Sequence, residues 1–166
     1  MSPQPLDSQG YKPLELADKE AISAFLRAYP PQTSELTFTN LFMWRGYYQP
    51  VWRVWGEHLL ILVQPPGHEP FALPPLGPGG LTPACRELCR VLNQAGAAPS
   101  IQRVGADILE RVDQAAIAAS LDRAQSDYVY LSAELIALAG NRFHKKKNHL
   151  NKFHKAYPGH EYRPLD

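Results

Sequence analysis

The sequence is poor in cysteine, with Cys85 and Cys89 the only two. Four residues apart in an expected helix, they sit on neighbouring turns, which is poor disulfide geometry. No further Cys completes a zinc set. The reading is two buried thiols in a reduced cytoplasm. Long hydrophobic runs are also missing. Stretches such as Leu59–Val63 are far too short to span a bilayer. The start, MSPQPLDSQG, has no basic segment followed by an apolar one and is not a signal peptide. The motifs G-x-S-x-G, P-loop and H-E-x-x-H do not occur. Acidic residues are absent from one region: none lies between Arg142 and Tyr157.

What is present suits one globular domain of 166 residues, 45% hydrophobic and 20% charged. The sixteen prolines cluster at Pro30-Pro31, Pro65-Pro66 and Pro74-Pro75, where they punctuate elements. The net charge of +1 hides an asymmetry. Residues 140–166 hold seven Lys or Arg against Glu161 and Asp166, a local +5, which leaves −4 on the rest. One basic end on a near-neutral chain implies a local anionic partner.

Residues 1–10 are expected to be a loose tail. Tyr11–Leu16 reads as an edge strand, because Pro13 lacks an amide donor. Asp18 is the expected cap of a helix over Lys19–Tyr29. Leu36–Tyr48 is rich in aromatics, with Thr37 or Thr39 capping a short helix. Core packing explains these rings, and a ligand-tunnel wall is the sharper alternative. Val51–Trp55 and His58–Gln64 form a hairpin about a Gly56-Glu57 type II′ turn. Phe71–Leu73 is a short strand. Thr82 is the expected cap of a helix with Pro83 at its first position and Gly96 past its end. Ser100–Val104 reads as a strand, Ala106–Val112 as a helix and Asp122–Leu131 as a strand. Ser132 is the expected cap of Ala133–Ala139, which Gly140 stops. A basic helix follows over Arg142–Tyr157, and His160–Arg163 opens a further strand. The interleaving implies an α+β or α/β protein.

The basic helix is not uniformly polar. At about 100° per residue, Phe143, Leu150, Phe153 and Tyr157 share an apolar sector about 80° wide, and Lys146 projects into its middle. Lys146 either snorkels, laying its stem on apolar neighbours, or enters a cleft and neutralises a phosphate or carboxylate. Arg142, Lys145, Lys147, Lys152 and Lys155 are placed to meet a polyanion such as tRNA, or lipid headgroups. His144, His149 and His154 point about 140° apart and cannot converge on one metal, so they read as surface histidines. Gly77-Pro78-Gly79-Gly80 precedes a helix, the context of a phosphate loop. Its prolines remove amides, and a plain connection is the better reading. Asp127 beside Tyr128 could serve acid–base chemistry, but no catalytic partner is legible.

The phrases SELTFTNLFMWR (34–45) and DYVYLSAELIALAGNRFHKKKNHLNKF (127–153) resemble the first half of a bacterial family of uncharacterised proteins. That family is related to the C-terminal catalytic domain of phosphatidylglycerol lysyltransferase. The second phrase is the more specific, with Asp-Tyr-x-Tyr, the Leu138–Gly140 turn and the Lys/His-rich helix in order. The resemblance implies a GNAT-like lobe over residues 11–166, the first of two in tandem, with the second beyond Asp166. It implies an aminoacyl-tRNA- or acyl-CoA-dependent transferase in the cytoplasm, inactive as this lobe alone. Arg142, Lys145, Lys146, Lys147 and Asn148 match its basic motif and are the expected anion-contacting residues; no catalytic residue is assigned. No bound cofactor or metal is expected. A lone lobe exposing its apolar face can dimerise through it. Two rival readings come from the residues. One is a non-catalytic module docking RNA or an acidic partner. The other, a complete small acetyltransferase, lacks a glycine-rich pyrophosphate loop.

Overall fold

In the computed structural model, residues 9–126 and 128–163 are described. The chain divides into two compact units, Met1–Gln125 and Ser126–Asp166. Of the expected tail, Gln9 and Gly10 fall within the described residues, and Arg53 Nη1 donates to the Gln9 carbonyl at 2.7 Å.

The first unit is built on a four-stranded sheet. Its strands are β1 (Lys12–Pro13), β2 (Val51–Trp55), β3 (His58–Val63) and β4 (Phe71–Ala72), paired antiparallel in that order. Pro13 sits on the edge strand, where its missing donor costs nothing. Trp55 pairs with His58 across the turn. Gly56 has φ of 57° and Glu57 does not have a positive φ, as a type II′ turn requires. Every residue of Leu59–Val63 is buried. Leu59, Ile61 and Val63 pack with Ile22, Leu36 and Leu41 on one face. Leu60 and Leu62 pack with Leu88, Val91 and Leu92 on the other. The continuous apolar run therefore reflects a strand covered on both sides.

Helices α1 (Lys19–Ala28), α2 (Phe38–Met43) and α3 (Arg45–Tyr48) precede the hairpin, and α4 (Thr82–Gln94) and α5 (Ala106–Leu109) follow β4. Thr37 caps α2, accepting from the Asn40 amide at 3.2 Å. Phe38 and Leu41 enter the core, whereas Met43, Trp44 and Tyr47 stay exposed.

Several expected elements differ. Asp18 precedes α1 but does not cap it with its side chain. Its carboxylate accepts instead from Lys12 Nζ at 2.6 Å, the Glu15 amide at 2.9 Å and Trp52 Nε1 at 3.1 Å. Thr82 is the first residue of α4 rather than its cap, and its hydroxyl accepts from the Asp113 amide at 2.8 Å. The expected strand at Ser100–Val104 shrinks to one parallel bridge between Ile101 and Ala72. Arg103 at φ 62° turns the chain away from an extended path. The helix expected to reach Val112 stops at Leu109.

Candidate functional site

The second unit carries the basic segment. The strand expected over Asp122–Leu131 is not formed in the described residues: Arg123–Gln125, at the end of the first unit, is a 3₁₀ turn, and Tyr128–Leu131 joins no sheet. Asp127 lies outside the described residues. Tyr128, Val129 and Leu131 are exposed. Strong β-propensity does not make a strand without a neighbour to pair with. His160–Arg163 is likewise without regular structure.

Helix α6 (Ser132–Ala137) begins at Ser132, which supplies no side-chain cap, since Leu131 occupies the cap position. It ends on Leu138 in the left-handed conformation at φ 45°. Gly140 then takes φ 86° and ψ 167°, a region closed to side chains. These two residues break α6 from a 3₁₀ turn (Asn141–Phe143) and α7 (His144–Ala156). Phe143 anchors the start of α7 and is the one buried large hydrophobic residue described in this unit. The Tyr130 ring lies 6.2 Å from it, centre to centre.

On α7 the expected anion-contacting residues fall into different environments. Arg142 pairs with Glu134 and lies over the Phe143 ring at 4.6 Å. Lys146 places its ammonium 5.2 Å from the centre of the Tyr130 ring. The ammonium itself therefore meets an aromatic face, on a side chain that stays exposed. Asn148 Nδ2 is 3.5 Å from His144 Nδ1. Lys145, Lys147, Lys152 and Lys155 are exposed, and no salt bridge among the described residues involves them. His144 through Lys147 crowd the first turn, where the backbone dipole is positive and no acidic residue offsets it. An approaching anion meets both the lysines and the helix dipole.

The glycine loop does different work. Arg111 donates to the carbonyls of Gly77 and Gly79, the latter at 2.8 and 3.1 Å. His58 Nε2 is 3.1 Å from the Pro78 carbonyl. A guanidinium gathers the loop's carbonyls, so Gly77–Gly80 is a clamped connection.

Sequence reasoning missed an aromatic cluster at the end of α7. Phe153 and Tyr157 lie 5.2 Å apart, and the turn after Tyr157 folds His160 back to 4.8 Å from Phe153. The signal was there: an aromatic pair at i, i+4 followed by Pro158-Gly159 and another ring. Among the described residues, no group of three or more His, Cys, Asp or Glu could hold a metal ion, and no helix is long and apolar enough to cross a membrane.

Comparison with known proteins places this geometry. No curated protein matches the chain. A crystal structure of a conserved protein of unknown function from Bacteroides thetaiotaomicron VPI-5482 superposes with a TM-score of 0.80 at 29% identity. The match covers 94% of this chain and 53% of that one, so this chain spans about half the length of its structural relative. Residues 26–166 match the family described as phosphatidylglycerol lysyltransferase, C-terminal, a span that takes in the hairpin, α4 and the whole basic segment. The chain belongs to the phosphatidylglycerol lysyltransferase C-terminal family.

Proposed function

We propose that this chain is the first of two GNAT-like lobes of a transferase, and that α7 holds its anionic donor, an aminoacyl-tRNA or an acyl-CoA. The observation that carries this reading is the set Lys145, Lys147, Lys152 and Lys155, exposed on one helix with no carboxylate partner among the described residues. A helix selected for stability alone would carry Glu or Asp at i±4. Family membership supports transfer chemistry. The two-fold length of the structural relative supports a second lobe. So do the exposed Tyr128, Val129, Leu131 and Ile136, which a partner lobe would cover.

The test is tRNA binding as a function of salt. The wild-type chain should lose affinity steeply as salt rises. Charge reversal of Lys145, Lys147 and Lys152 should lower the log–log slope by about one per lysine. Binding that survives the reversal with its slope intact would remove α7 from donor recognition.

A further inference from the structure

The aromatic cluster at the end of α7 forms a small open cup. Phe153, Tyr157, Gly159 and His160 line a space of about 420 Å³. That volume is within the range of small-ligand sites, about 300–1,000 Å³. Three rings and a glycine make up its wall, so flat apolar surface dominates. The rings are held in place: His160 meets Phe153 edge-on at 74°, and the His154 ring lies 4.8 Å from that of His160.

His160 has a defined polarity. Its Nδ1 lies 2.7 Å from the Tyr157 carbonyl. A carbonyl only accepts, so Nδ1 carries the hydrogen and the bond ties the ring to the end of α7. The cup therefore offers flat aromatic faces, which suit a planar heteroaromatic ring.

Charge is laid out beside it. At about 100° per residue, Lys145, His149 and Lys152 form a row along α7 next to the row of Lys146, Phe153 and Tyr157. Cations tracking a backbone beside aromatic platforms are what single-stranded nucleic acid and nucleotides require.

We propose that this cup stacks the base of a nucleotide whose phosphates lie along the Lys145–Lys152 row. The proposal rests on the anionic-donor reading and narrows it, because the ligand must present a base as well as a charge. An unpaired RNA end and a small nucleotide carrier share that chemistry.

The experiment uses the full chain and fluorescence anisotropy. The probes are a short labelled RNA ending in an unpaired adenosine and the same RNA with an abasic last position. The adenosine end should bind about ten-fold more tightly, the size of one stacked base. Phe153→Leu and Tyr157→Leu keep apolar bulk. They should erase that advantage while leaving the abasic affinity and the amide NMR spectrum of the rest of the chain unchanged. Unlabelled adenosine 3′,5′-bisphosphate identifies the source: competition that depends on Phe153 assigns the cup to a nucleotide carrier, and none assigns it to an RNA end. Equal affinity for adenosine-ended and abasic RNA, with strong salt dependence, overturns the cup and leaves the basic row standing. Failure of both RNAs to bind overturns the anionic-donor reading and the cup together.

Discussion

The ammonium of Lys146 lies 5.2 Å from the centre of the Tyr130 ring, which ties the middle of the basic cluster to the chain entering α6. Lys146 thus differs from Lys145 and Lys147, for which no ring contact is found among the described residues. Lys146→Met should keep the stem packing and lower stability by about 0.5–1 kcal/mol, the size of an exposed cation–π contact. It should weaken tRNA binding less than Lys145→Met does. Chemical denaturation and a paired binding titration check both. A larger binding loss at Lys146 than at Lys145 would place its ammonium on the ligand rather than on Tyr130.

Local signals were legible in the sequence, and long-range ones were not. The hairpin, the Thr37 cap and the two-sided burial of Leu59–Val63 follow from turn chemistry and hydropathy within a few residues. Three expected caps, Asp18, Thr82 and Ser132, carry the right residue type but do not cap. For Thr82 the reason lies far along the chain, at Asp113, and Asp18 is drawn off by Lys12 and Glu15 nearby together with the distant Trp52. The strand expected over Asp122–Leu131 fails for a related reason: its propensity calls for a neighbour that the described residues do not supply. The basic helix was legible because charge needs no partner to be read. The cup was missed because it forms only when the Pro158-Gly159 turn brings His160 back.

Asp18 and Glu87 should make the first unit acid-labile. Burial raises the Asp18 carboxyl, but hydrogen bonds from Lys12, the Glu15 amide and Trp52 outweigh it and hold the group below its ordinary 3.8. Arg90, and then Arg53, hold Glu87 below its ordinary 4.5 against burial. Both groups are depressed in the folded state, so their stabilisation is complete above those ordinary values. It is lost as pH falls through the lower folded values. Urea midpoints should be flat from neutral pH down to about 5 and drop below about 4. Asp18→Asn should cost about 2 kcal/mol at neutral pH, the scale of a lost charged hydrogen bond. It should also shallow the acid limb.

Cys85 should resist thiol reagents until the chain unfolds. It faces the core, and burial, with Cys89 beside it, pushes its thiol up to about 11. At pH 8 only about a thousandth of it is thiolate, the nucleophilic form. Cys89 is half-buried, and burial raises it too. Native-state labelling should be slow, with Cys89 reacting first. Both should react together in denaturant, with mass spectrometry following each site. Rapid native labelling of Cys85 would mean that α4 opens readily.

The glycines of the 77–80 loop should rank by steric demand, since the loop is a packed connection and not an anion cradle. A Cβ on Gly77 would overlap the His58 ring and come within 2.8 Å of the Glu57 carbonyl. Neither neighbour can retreat cheaply: His58 closes the hairpin opposite Trp55, and the Glu57 oxygen is backbone. Gly77→Ala should therefore cost about 1–3 kcal/mol, as overpacking does. Gly79 meets nothing but holds φ of 63°, so Gly79→Ala should cost about 1 kcal/mol in backbone strain. Gly80 has ordinary dihedrals and its nearest neighbour, the Arg111 carbonyl, is 3.8 Å away. Gly80→Ala should be neutral, or stabilise by about 0.4–1 kcal/mol by restricting the unfolded chain. Thermal or urea unfolding of the three variants gives the order. If the loop instead approached a phosphate through its amides, Gly80→Ala would impair ligand binding while leaving stability intact.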